Sequence, residues 1–164
     1  FTSGGRHALE EAFCSQSTLF PSLHKIASGE KTSGFLSGLF RSEPAPVARH
    51  GQRFHSHIPE DGVILSPSVE IFRRGTDQGY PLVMKPVEIL AVISMAMYNQ
   101  NPEVRDSPLD APRGAEEYEI GVRTKFLALF HAAAMVGADT LILPDLGCGV
   151  FRNDPNVVGR IAGT

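Results

Sequence analysis

The chain has 164 residues and a formal charge of −3, enough length for one domain with a sizeable core, and its scattered basic residues leave no continuous footprint for nucleic acid or an anionic membrane. Its two cysteines, Cys14 and Cys148, stand far apart in no metal-like spacing, which argues against a disulfide framework or a zinc site and for a reducing, cytoplasmic or nucleocytoplasmic setting. No apolar run approaches the roughly 20 residues that span a bilayer and no basic, apolar leader stands at the start, so a soluble protein is expected; a monomer is expected as well.

The chain opens at Phe1, on a loop of the kind that follows a strand, and closes in the first turns of a helix over 156–164. Elements of a parent fold are therefore expected to be missing at both ends of the single domain 1–164. Residues 6–23 read as a helix in which Ala8, Ala12, Leu19 and Leu23 form an apolar stripe and Pro21 marks a weakening or kink. Glu10 and Glu11 fall in its first turns. Adjacent helical residues point about 100° apart, so one carboxylate faces a ligand while the other flanks it.

Residues 27–61, rich in Ser, Gly, Pro, His and Arg, read as a long surface excursion. Val63 to Leu65 and Val69 to Phe72 form one strand path interrupted at Ser66-Pro67. The turn from Arg74 to Gly79 then leads to a strand at Tyr80 to Met84, making a hairpin. Pro86 to Ala96 carries Val87, Ile89, Leu90, Val92 and Ile93 in a nearly continuous apolar run, the pattern of a central strand buried on both faces. A Pro- and Asp-rich loop follows over 99–113. Ala115 to Val136 reads as a helix, with Tyr118, Val122, Phe126, Leu129 and Ala133 at helical spacing and Gly137 as its terminating glycine. Thr140 to Leu143 reads as a buried strand, which gives the helix–strand alternation of an α/β fold with parallel strands.

Two glycine turns hold the candidate chemistry. Ser3-Gly4-Gly5-Arg6-His7-Ala8-Leu9-Glu10-Glu11 sets two carboxylates inside a helix start, and Leu146-Gly147-Cys148-Gly149-Val150-Phe151-Arg152-Asn153-Asp154-Pro155 joins the apolar run at 140–144 to a helix. Strand, glycine turn and helix N-terminus together gather unpaired N–H groups and the positive end of a helix dipole, the elements of an anion site. Gly147 and Gly149 permit close approach to a diphosphate, and Phe151 offers a flat face to a ribose or base. An ordinary turn that uses glycine for its dihedral angles explains the same residues equally well. Glu10 and Glu11 read either as carboxylates satisfying the helix dipole or as a proton donor and its neighbour at a glycosidic oxygen. Cys148 reads as packing. His55-Ser56-His57 lacks a third ligand and reads as solvated loop, as do Arg41, Arg49 and Arg53.

Taken in order, Gly4-Gly5 with Glu10-Glu11 and Phe13 to Ser17, Ile64 to Pro67 with Val69 to Arg73, Val92 to Asn99, Arg123, and Gly147 to Pro155 resemble the microbial-type poly(ADP-ribose) glycohydrolases, a branch of the macrodomain fold. The resemblance implies an α/β, macrodomain-like mixed sheet flanked by helices and release of ADP-ribose from poly- or mono-ADP-ribosylated protein, with no metal or redox cofactor. It implies Glu11 as catalytic acid/base, Glu10 as the residue orienting the ribose, and Gly4, Gly5, Asn99, Gly147, Cys148, Gly149, Val150 and Phe151 as substrate-binding positions. The alternative is a reader macrodomain that binds ADP-ribose without cleaving it. The sequence departs from the family where Ser3 replaces a glycine, where Leu9 stands in place of a glutamine, and at Asp145. The added carboxylate suits an arginine-linked leaving group, because it can pair with a guanidinium.

Overall fold

In a computed structural model of the chain, residues 9–27, 58–105 and 107–164 are described. They contain helices α1 (Leu9–Gln16) and α2 (Leu19–Ala27), strands β1 (Ile64–Arg73) and β2 (Leu82–Ser94), and helices α3 (Ala115–Met135) and α4 (Pro155–Ala162). The described residues fall into two compact units, 9–27 with 65–92 and 58–64 with 93–105 and 107–164.

In the first unit the segment expected to be one helix is two. The break falls at Ser17-Thr18, ahead of Pro21, because these residues pair with β1. Ser17 forms an antiparallel bridge with Ile71, the Thr18 N–H donates to the Glu70 carbonyl at 3.0 Å, and the Glu70 N–H donates to Thr18 Oγ1 at 3.0 Å. Ser17 is buried, and its Oγ accepts from the Leu19 N–H at 3.2 Å, which starts α2. Pro21 then sits in the first turn of α2, where N–H groups have no intrahelical partner, so its missing donor costs no bond. Leu19 and Val69 are the large buried side chains here.

β1 and β2 pair as a hairpin, as expected, through a turn containing the short helix Thr76–Gln78. Two details differ. β1 runs unbroken through Ser66-Pro67, with exposed Pro67 followed by Ser68 at φ 51. β2 is one strand through Pro86, and it is not buried on both faces: Val87 and Leu90 are 59% and 56% exposed. Among the described residues the sheet has two strands, so β2 is not the central strand of a covered sheet.

In the second unit α3 matches the expected helix closely. Its C-terminus is a Schellman motif: the Gly137 N–H donates to the Ala134 carbonyl at 3.0 Å and the Ala138 N–H to the Ala133 carbonyl at 3.1 Å, with Gly137 at φ 70. Val122, Phe126, Val158 and Ile161 join Met97 and Tyr98 in one core cluster, while Val63, Leu129 and Ala132 form another. Glu119 of α3 receives both guanidinium nitrogens of Arg160 from α4, at 3.2 and 3.0 Å, and pairs with Arg123 at 3.3 Å. The expected strand over 140–143 does not form; Leu141, Ile142 and Leu143 are exposed. A strand needs a ladder partner, and none of the described residues provides one. The α/β class stands, but the parallel alternation inferred from this segment does not appear among the described residues.

Candidate active site

Of the first glycine turn, Gly4 and Gly5 lie outside the described residues, as do Arg41, Arg49, Arg53, His55 and His57. Glu10 and Glu11 occupy the first turn of α1. Partial desolvation raises the Glu10 carboxyl above the usual carboxylate range, and the neighbouring Glu11 charge raises it further. Cys14, one turn on, is also pushed up by burial and then by both glutamates, so its thiol stays protonated. Glu10 is an exposed residue by surface area, so the desolvation is local to its carboxyl and incomplete.

The second glycine turn lies in the other unit and is held internally. Its keystone is Asn153, 2% exposed. Asn153 Nδ2 donates to the Tyr98 and Gly147 carbonyls, both at 2.8 Å, while Oδ1 accepts from the Tyr118 hydroxyl at 2.8 Å and from Gln100 Nε2 at 3.1 Å. Every hydrogen-bonding position of that amide is used. The loop from Asn99 clamps the outer side: the Gln100 N–H donates to the Phe151 carbonyl at 3.0 Å and Asn101 Nδ2 to the Val150 carbonyl at 2.9 Å.

Gly147 at φ 71 and Arg152 at φ 58 flank the turn. The Cys148, Arg152 and Asn153 N–H groups close it on the carbonyls of Asp145, Gly149 and Gly147. Among the described residues the N–H groups of Gly149, Val150 and Phe151 donate to no backbone carbonyl. Gly149 and Val150 are exposed, and a Cβ built on Gly149 meets nothing within 4 Å. Three successive backbone donors without a backbone acceptor thus lie together on an open turn.

The helix N-terminus expected to complete this site is closed off. Asp154 caps α4 by accepting from the Asn156 N–H at 2.8 Å, and Pro155 has no N–H. The available donors therefore lie in the turn itself. Cys148 is partly buried, its Sγ faces the Leu146 carbonyl at 3.5 Å, and burial with the Asp145 and Asp154 charges pushes its thiol up, which fits packing and not nucleophilic chemistry. Asn99 is 1% exposed. Its Nδ2 donates to the Ser107 carbonyl and its Oδ1 accepts from the Asn101 N–H, so it shapes the loop that reaches Val150. Asp145 is exposed. No group of three or more His, Cys, Asp or Glu suited to a metal occurs among the described residues.

Asn153, Gln100, Asn101 and Tyr118 were not singled out as site residues by sequence reasoning. The available signal was two asparagine-containing segments, 99–101 and 153, adjoining the loops in question; their pairing is long-range and leaves no periodic trace.

No family model matches the sequence, and a search of curated proteins finds no match. Solved structures do match. A poly(ADP-ribose) glycohydrolase from Thermomonospora curvata matches at TM-score 0.65 and 27% identity over 96% of this chain and 47% of that chain. The same enzyme bound to the inhibitor ADP-HPD matches at TM-score 0.62 and 28% identity, over 96% and 49%. A poly(ADP-ribose) glycohydrolase from Deinococcus radiodurans in complex with ADP-ribose matches at TM-score 0.61 and 29% identity, over 96% and 54%. These matches define the fold as macrodomain-like α/β. The chain is thus similar to poly(ADP-ribose) glycohydrolase structures, in agreement with the resemblance carried by its motifs, and it spans about half the length of the solved chains it matches.

Proposed function

We propose that the protein of which this chain forms a part is an ADP-ribosyl glycohydrolase acting on poly- or mono-ADP-ribosylated protein. The observation that carries the reading is the match, over nearly all of this chain, to glycohydrolase structures that hold ADP-ribose or an inhibitor. The free N–H groups of Gly149, Val150 and Phe151 support it by suiting a diphosphate.

Glu11 protonates the glycosidic leaving oxygen, the anomeric carbon passes through an oxocarbenium-like state, and the carboxylate then activates water. Glu10 orients the ribose beside the scissile bond. Gly4 and Gly5 shape the loop over the diphosphate, and 147–151 hold the diphosphate and distal ribose. Asn99 acts through the loop it holds. Asp145, exposed, is the group suited to a guanidinium leaving group.

The test is release of ADP-ribose from poly-ADP-ribosylated and arginine-ADP-ribosylated protein by the full-length protein and its Glu11→Gln variant. The expected loss of turnover is about 10²-fold or more, the scale of general acid–base catalysis, with ADP-ribose affinity retained. Binding without release by the unaltered protein would establish the reader alternative.

A further inference from the structure

Lys125 is a lysine in the core, 2% exposed, on a helix whose apolar stripe gives no reason to bury a cation. Its Nζ lies 4.5 Å from the centroid of the Tyr98 ring. One turn earlier on α3, Gly121 leaves a notch for the same side chain: a Cβ there would stand 2.9 Å from Tyr98 Cζ and closer still to the hydroxyl. Residues four apart share a helix face, so Gly121 and Lys125 grip one tyrosine from one side. The Tyr98 hydroxyl donates to Glu60 Oε1, and its ring lies 5.7 Å from that of Tyr118. The Tyr98 carbonyl receives Asn153 Nδ2, the amide that closes the glycine turn on Gly147. A second route runs through Asp110, whose Oδ1 accepts the Asn99 N–H at 2.7 Å, ahead of the Gln100 and Asn101 contacts to the turn.

We infer that Lys125 is a positioning residue for anion binding: seated on the Tyr98 ring beside the Gly121 notch, it fixes the carbonyl that holds Asn153 and so the open donors of Gly149 to Phe151. The inference rests on the proposed ADP-ribose site for its ligand, but not for its geometry. Burial pulls the Lys125 ammonium below its usual range while the Glu60 and Asp110 charges pull it back up, which is the balance expected of a cation retained among anions. A cation over an aromatic face contributes most when it is desolvated. Methionine matches lysine in length and keeps the packing without the charge, whereas arginine restores a cation able to lie over the ring.

Amide hydrogen exchange over 147–153 and ADP-ribose affinity are measured in full-length protein carrying Lys125→Met or Lys125→Arg. Expected for Lys125→Met is exchange faster by about tenfold in 147–153, with α4 protection unchanged, and affinity weaker by a similar factor, the scale of a lost desolvated cation–π contact. Lys125→Arg should recover most of both. Unchanged exchange in Lys125→Met, or no recovery in a folded Lys125→Arg, overturns the inference. If Lys125→Met fails to fold, Lys125→Gln carries the test, because it removes the charge seated over the ring and keeps a polar end; faster exchange at 147–153 supports the inference and unchanged exchange overturns it. Faster exchange in Lys125→Met together with no ADP-ribose binding by the unaltered protein would sustain the positioning role and refute the proposed ligand.

Discussion

Asn153 Nδ2 donates to the carbonyl of Gly147 at 2.8 Å, while the Asn153 N–H reaches the same carbonyl at 3.2 Å. One residue thus closes the glycine turn from both its main chain and its side chain, and the remaining amide positions tie that turn to Tyr98, Gln100 and Tyr118.

Replacing Asn153 with Ala removes four side-chain bonds and strands buried carbonyls. The expected loss is about 2–4 kcal/mol, since a buried polar group left unsatisfied costs about 1–3 kcal/mol on its own. Urea unfolding should show a lower midpoint with an unchanged slope.

Gly147 and Gly149 should separate. A Cβ on Gly147 stands 2.6 Å from Met97 Cβ and 2.7 Å from Asn153 Nδ2, at a φ of 71, so Gly147→Ala is expected to destabilise by about 1–3 kcal/mol through strain and displacement of both neighbours. Gly149 has open space and no positive φ. Gly149→Ala should stay within about 0.5 kcal/mol, as a surface change away from packed features does. Paired denaturation curves decide this.

Gly121→Ala offers a test in which helix propensity and packing oppose each other. Alanine gains about 1 kcal/mol over glycine in a helix interior, yet the new methyl collides with Tyr98. Overpacking of this kind costs about 1–3 kcal/mol, so the net effect should be destabilising, accompanied by a change in tyrosine emission. That signal is readable because the chain has no tryptophan and three tyrosines.

Glu10 predicts a pH dependence with a definite sign. Its folded-state carboxyl titrates above the unfolded one, so the folded state binds the proton more tightly. The resulting stability is fully present below the unfolded value and disappears as pH rises through the folded value. Relative to Glu10→Gln, the unaltered protein should lose thermal stability across the range just above ordinary carboxylate titration and hold a constant difference beyond it. Melting curves from acidic to neutral pH would read this directly; a difference flat throughout would contradict it.

Local signals were legible where local chemistry decides. The Gly137 termination of α3, the Asp154-Pro155 start of α4 and the turn between β1 and β2 each follow from residues within a few positions. The helix break at Ser17-Thr18 was not legible, because it is set by pairing with Glu70 and Ile71, some 50 residues on. Apolar content suggested burial for β2 and for 140–143, but burial depends on which neighbours cover a segment, which periodicity does not encode. Lys125 was hidden for the converse reason, as its charge argues for solvent until Tyr98 and Glu60 are known to surround it. The candidate carboxylates were visible as a motif; the amide network supporting the second turn became visible only through long-range contacts.

The completeness of the Asn153 network bears on thermodynamics as well as shape. A turn tethered at Gly147, Val150 and Phe151 before any ligand arrives has already lost its conformational entropy during folding. An anion entering there has little left to order, so its binding should carry a small entropic penalty and follow simple one-step kinetics.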